Sequence, residues 1–243
     1  MPASLANSDN AQTLNATVLL QMRLDIIACR LAPSERLRVE TLRERYGMGA
    51  SPIREALMRL EAEGFVELEQ NKGFRVSEVS HENLSDLMRT RIEIEGIALR
   101  WSIERGGVDW EANLLSAFHR LSRQTKIDPA SPGVISDAWW KEHANFHAAL
   151  VAACDAPTLL TIRSRLFEQA DRYVALSIMS KGPLRDDVSE HKQLMRAALN
   201  RDIDRALELN RAHINRTFEK VSASLADGKK ALKTLLSDRK SAK

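Results

Sequence analysis

The run Ser51-Pro52-Ile53-Arg54-Glu55-Ala56-Leu57, followed by Gly64 and then by Asn71-Lys72-Gly73-Phe74-Arg75-Val76, limits what this chain can fold into more than any other feature. Ile53, Ala56, Leu57 and Leu60 recur at helical spacing and predict one buried face, with Arg54, Glu55, Met58 and Arg59 pointing the other way. Ser51 is expected to cap this helix and Pro52 to take its first position, where no N–H is needed. Gly64 is expected to stop it. Two β-prone runs, 65–68 and 74–76, flank a polar turn with Gly73 near the tip. A helix with this polar face and a β-wing behind it predicts contact with duplex DNA.

The surrounding segments extend that reading. Residues 14–30 predict a long amphipathic helix with Val18, Leu19, Met22, Ile26 and Ile27 as its stripe, broken by Leu31-Ala32-Pro33. Residues 39–46 predict a short second helix, and Gly47-Met48-Gly49 the turn into the third. Residues 11–76 are therefore expected to form a winged helix-turn-helix DNA-binding domain, and 77–81 a linker. From residue 82 onward helices are expected near 82–105, 109–126, 134–154, 157–180, 186–200 and 202–225. The expected breaks are Gly106-Gly107, Asp128-Pro129 through Pro132-Gly133, Asp155-Ala156-Pro157, Gly182-Pro183 and Arg201-Asp202. The fold class is mainly α: an N-terminal winged helix-turn-helix, a C-terminal all-α six-helix bundle over 82–225, and a basic tail over 226–243.

Net charge is +3, but residues 226–243 alone carry +4, so the basic excess belongs to the tail and the rest of the chain is at −1. Between Arg30 and Arg59 there are seven arginines against four glutamates, a mild local excess. Charge alone does not argue for nucleic acid here; the motif does. No apolar run reaches the ~18 residues of a membrane span, and residues 1–10 lack the basic start and apolar stretch of a secretory signal. The two cysteines, Cys29 and Cys154, sit far apart in apolar helical contexts and are expected as buried thiols in a reducing cytoplasm.

Two features of the helical region carry chemistry. His143 and His147 are four apart on one expected helix, His191 lies near the start of a later one, and His213 midway along the last. Imidazoles on facing helices can converge on a divalent metal; by spacing alone they can equally be hydrogen-bonded or partly exposed. Arg91 and Glu95 fall on the apolar stripe of Leu84, Met88 and Ala98, where a charge is costly unless paired or used. They form either an internal ion pair or, with Arg91 turned into a cavity, a clamp for a carboxylate. Arg163, Arg165 and Arg172 are further clamp candidates, with a solvated surface as the alternative. Trp139-Trp140 are expected to fill core or interface.

With these residues in hand, the chain resembles the GntR superfamily of transcriptional regulators, the FadR subgroup with an FCD effector domain, over about residues 14–225. The resemblance rests on Ser-Pro-Ile-Arg-Glu-Ala-Leu, on Arg91-Ile92-Glu93-Ile94-Glu95, on Phe146-His147, and on His191 and His213. The segments 49–52, 108–111 and 162–173 further resemble a CsiR-like, carbon-starvation-induced branch tied to glutarate and γ-aminobutyrate catabolism. The resemblance implies that Arg54 contacts bases, Ser51 a phosphate or base edge, Arg43 the DNA backbone, and Lys72 and Gly73 the minor groove. It also places His147, His191 and His213 at three metal positions. Two departures stand out. Ala50 replaces an arginine common just before the signature, and His143 stands where the fourth metal ligand is commonly aspartate. An all-histidine set suits Zn²⁺ or Ni²⁺ better than Mg²⁺ or Ca²⁺, or a metal-free pocket in which the histidines bind an acid directly.

The function expected is that of a cytoplasmic, homodimeric, ligand-responsive repressor and not an enzyme. It would be released from its double-stranded operator by a small organic acid, in the finer form a short dicarboxylate, with Arg91, Arg163 and Arg172 as effector contacts. A DNA-binding metal sensor is the first alternative. A metalloenzyme is the second; against it, Glu142 faces about 100° away from His143 on the helix.

Overall fold

The computed structural model describes the backbone of residues 5–130, 135–178 and 187–241, and the side chains of 15–130, 135–175 and 187–226. Two compact units divide the chain, Met1–Val79 and Ser80–Lys243.

The first unit runs α1 (Leu5–Ile27), β1 (Arg36–Leu37), α2 (Val39–Tyr46), α3 (Ala50–Ala62), β2 (Val66–Glu69) and β3 (Gly73–Val76). The i, i+4 spacing of Val18, Met22 and Ile26 turns one stripe of α1 onto Ile53, Leu57 and Leu60 of α3, and all six are buried with Phe65 and Val76. Each such side chain contributes roughly 1.5–3 kcal/mol on burial. Arg23 ties α1 to the end of α3 through both oxygens of Glu63, at 2.6 and 3.0 Å. Asp25 ties α1 to α2, accepting from the Tyr46 hydroxyl at 2.7 Å and from Arg45 at 2.8 Å. Gly47 closes α2 at φ 64°, a left-handed conformation that a residue with a Cβ adopts only at a cost, and its N–H returns to the Arg43 carbonyl.

Three local expectations are corrected here. The cap of α3 is Gly49 in extended conformation, with no side-chain bond; Ser51 lies inside the first turn and Pro52 is the third helical residue. First-turn N–H groups have no partner within the helix, so the ring is tolerated there. Helix α1 ends at Ile27, not Arg30. Cys29 adopts φ 56° and the Leu31 N–H reaches back to the Asp25 carbonyl at 3.1 Å, which closes the helix. Cys29 is accordingly part-exposed, while Cys154 is buried. Finally, the sheet has three strands in the order β1-β3-β2, all antiparallel, with Leu37 opposite Phe74 and Val66 opposite Val76. A two-residue strand shows no alternation, and β1 had no signal in the sequence.

The second unit contains, among the described residues, α4 (His81–Arg105), α5 (Val108–Ser122), α6 (Asp137–Val151) with a 3₁₀ turn at Ala152–Cys154, α7 (Pro157–Ile178), α8 (Asp187–Leu199) and α9 (Ile203–Ser241). Ser80 caps α4, its Oγ accepting from the Asn83 N–H at 3.0 Å. Leu99, Ile103, Trp110, Leu114, Phe146, Leu150 and Leu194 form the core. Helix α5 stops at Ser122, short of the expected 126, because the chain turns into an isolated antiparallel bridge between Ile127 and Ile135. The bridge lies outside the wing. The breaks expected at Pro132-Gly133 and Gly182-Pro183 lie outside the described residues. Helix α9 runs unbroken to Ser241, so the segment expected as a separate tail continues a helix. No helix among the described residues is long and apolar enough to cross a membrane.

Candidate functional site

A cavity of about 50 Å³ opens inside the second unit. Where one water occupies ~10–15 Å³ in the same measure, it has room for a few waters or a small ligand. Helix α4 contributes Arg91 to its wall, α6 contributes Trp139, His143 and His147, and α7 contributes Phe167 and Asp171. Lys126, Asp187, His213 and Lys220 complete the charged lining.

The four histidines singled out from the sequence come together here, one candidate ligand nitrogen from each lying within 4.8 Å of the others. Nε2 of His147 is 3.2 Å from Nε2 of His143 and 3.2 Å from Nε2 of His191. Nitrogens bound to one tetrahedral zinc at ~2.0–2.1 Å lie roughly 3.3 Å apart, so the spacing fits such an ion. Nδ1 of His213 meets Glu190 Oε2 at 3.0 Å, which leaves its Nε2 as the ligand atom; Glu190 also takes Arg216 at 3.1 Å. A carboxylate behind a ligating imidazole fixes its tautomer and orientation. Nδ1 of His143 and of His147 is buried with no hydrogen-bond partner. His143 lies flat on Trp139, centroids 4.5 Å apart; the indole walls the cavity and is more than core filling.

Burial, and then the neighbouring imidazoles, push the pKa values of His143 and His147 well below 6.5. Both are neutral near pH 7, the form that ligates a metal. The folded state refuses protons that the unfolded chain accepts, so this contribution to stability is complete above pH 6.5 and is lost as the pH falls below it. Metal-free protein is expected to lose up to about 1.4 kcal/mol per pH unit for each imidazole in that range. Urea unfolding at three pH values checks this. A slope unchanged in a His143→Asn/His147→Asn variant overturns it.

Arg91 is buried and sends both Nε (2.9 Å) and Nη2 (2.6 Å) to Glu95 Oε1. The internal pair and the cavity wall, set as alternatives by the sequence, are thus both realised. Arg163 and Arg172 are buried, not solvated, and neither lines the cavity; Arg165 is exposed. Arg163 lies 3.7 Å from Glu95 Oε2, with Nε and Nη2 making no hydrogen bond. It packs 4.7 Å from the Phe167 ring centroid, and Arg91 packs 4.8 Å from the same ring. Burial opposes ionisation of Glu95, yet Arg91 and Arg163 hold its pKa below the usual carboxylate value. Asp171 goes the other way: burial outweighs the two arginines and pushes it up to about 8, so at neutral pH it offers the cavity an O–H donor. Lys126, Asp171, Asp187 and Glu190 were not singled out from the sequence. Each stands at a helix end or among like-looking polar residues, and no periodicity marks them.

In the first unit Arg43, Ser51, Arg54, Lys72 and Gly73 are all exposed. The side chains of Arg43, Arg54 and Lys72 make no ion pair or hydrogen bond among the described residues. Their neighbours differ. Arg59 pairs with Glu55 at 2.8 Å, Arg75 with Glu69 at 2.9 Å, and Arg45 with Asp25. Arg36 and Arg38, beside α2, are also exposed without a partner, and their alternation along the chain was a signal that went unused.

Comparison with known proteins adds the following. The model of bacterial regulatory proteins of the gntR family matches residues 14–76, and that of the FCD domain residues 86–216. The chain is 38% identical over 197 residues to the HTH-type transcriptional repressor GlaR of Escherichia coli (strain K12), covering 79% of this chain and 89% of that protein. It is 35% identical over 212 residues to the uncharacterized HTH-type transcriptional regulator BphR of Paraburkholderia xenovorans (strain LB400), covering 87% of this chain and 86% of that one. Among solved structures, E. coli McbR/YncC aligns with a TM-score of 0.72 at 21% identity, over 87% of this chain and 98% of that one.

Proposed function

Since the chain belongs to the gntR family of bacterial regulatory proteins and carries an FCD domain, we propose that this transcriptional regulator is a homodimeric repressor that a small organic acid of the short-dicarboxylate class releases from its operator. The named relatives are transcriptional regulators, not enzymes. In this reading two copies of α3 enter successive major grooves about 34–36 Å apart. Arg54 reads a base, Ser51 meets a phosphate or base edge, Arg43 meets the DNA backbone, and Lys72 and Gly73 bring the wing to the minor groove.

The observation that carries the effector reading is the cavity and its histidine cluster, one candidate ligand nitrogen from each of four imidazoles lying within 4.8 Å of the others, beside a wall that holds Arg91, Lys126 and Lys220. His143, His147, His191 and His213 would hold a Zn²⁺ or Ni²⁺ ion, which supplies positive charge for a carboxylate oxygen when bound. Arg91 faces the same space. Arg163 and Arg172 lie outside the lining, and Arg163 acts through Glu95. Displacing the protein from DNA requires the acid to prefer the DNA-incompetent state, by about 5.5 kcal/mol for a full switch. Metal coordination and buried cations can supply that, and one surface contact cannot.

The test is a gel-shift of the DNA upstream of the protein's own gene, at fixed salt, with metal and a panel of short acids added separately and together. Release by acid and no release by metal alone is the expected result. Release by metal alone makes the protein a metal sensor, and no shift with any fragment of that DNA ends the operator reading.

A further inference from the structure

Lys126 follows α5, one residue before the Ile127–Ile135 bridge, and the Ser136 N–H bonds to its carbonyl at 3.0 Å, fixing the backbone at that point. Its side chain is only 18% exposed. Lysine is seldom so enclosed unless its charge is used. The ammonium forms an ion pair with Asp187 at the start of α8 and packs 4.6 Å from the Trp139 ring centroid. Trp139 in turn lies on His143, so the ammonium is no more than about 9 Å from the centre of that imidazole. Lys126 is one of two lysines on the wall. A linear chain of a few carbons, at about 1.5 Å per bond, spans a gap of that order.

Arg91 spends two donors on Glu95, and Arg163 stands outside the lining. Lys126 has three N–H donors, and a single carboxylate oxygen of Asp187 does not exhaust them.

We propose that Lys126 binds the distal carboxylate of a linear diacid whose first carboxylate lies at the histidine cluster, and that it thereby selects diacids over monoacids of the same length. The assignment rests on the reading of this cavity as an organic-acid site. Asp187 holds the ammonium in place when no ligand is present and competes with the incoming carboxylate for it.

The experiment is isothermal titration of the full-length protein, as purified, with succinate, glutarate and adipate, each against butanoate, pentanoate or hexanoate of matching chain length. Wild type is expected to bind at least one diacid ten-fold or more tighter than its monoacid. Lys126→Met is expected to bring that ratio within about two-fold by weakening the diacid far more than the monoacid, and Asp187→Asn to tighten the diacid alone. If Lys126→Met does not fold, Lys126→Gln and Asp187→Asn carry the same comparison. Equal weakening of both acid classes makes Lys126 a structural residue and overturns the proposal. So does a wild-type protein that binds monoacids and diacids alike, which leaves the organic-acid reading standing. Wild type that binds none of the six acids overturns both.

Discussion

Arg54→Ala is expected to abolish sequence preference in operator binding and to leave the helical unit folded. Arg54 is exposed on α3, off the face of the buried Ile53, Leu57 and Leu60, and no carboxylate competes for its guanidinium among the described residues. A bidentate arginine–guanine contact is worth about 1–3 kcal/mol of discrimination, and a dimer makes it twice. Fluorescence anisotropy with operator and scrambled duplexes at one salt concentration reads the ratio directly, since salt shifts both affinities together. Arg59→Ala is the control: it sits one face away and is already paired with Glu55 at 2.8 Å. A variant that keeps its preference without Arg54 removes α3 from the role of reading helix.

Glu95→Ala is expected to produce the largest loss of stability of any single change in the second unit, about 3–5 kcal/mol. The carboxylate serves two buried cations, Arg91 at 2.6 Å and Arg163 at 3.7 Å, and its removal leaves both in a poorly solvated interior. Glu95 is held below its ordinary pKa, so its contribution is present above the unfolded value near 4.5 and is lost as the pH falls through the folded one. Denaturant unfolding at pH 7 measures the loss. The double variant Arg91→Met/Glu95→Ala is expected to lose less than Glu95→Ala, because one orphaned charge goes with its partner. A loss under 1 kcal/mol in Glu95→Ala means that water reaches the triad and that the pair is not a closed interior one.

What the sequence disclosed follows from how local each signal is. The stripe of α3, the turn at Gly47 and the order of helices in the second unit all come from spacing within a few residues; that order is as expected, while ends such as that of α5, at Ser122, are not. His143 and His147 share a helix face by the same rule. Their meeting with His191 and His213 depends on how α6, α8 and α9 pack, which no spacing contains; the family resemblance supplied it. Arg163 shows a signal misjudged. Arg163, Phe167, Ala170 and Val174 recur at helical spacing, and that stripe faces inward and carries the guanidinium with it. Lys126 shows a signal absent altogether, since it lies past the end of α5 and only the bridge to Ile135 brings it to the wall.

The tightness of the chamber has a consequence of its own. An engineered void of about 150 Å³ holds a benzene molecule, and this one offers about 50 Å³. On the proposed acid-binding role, a void of this size is expected to take short, slender acids and to exclude aromatic or heavily branched ones. Widening it, for example by Phe167→Ala, would trade that filter for a taste for bulkier guests.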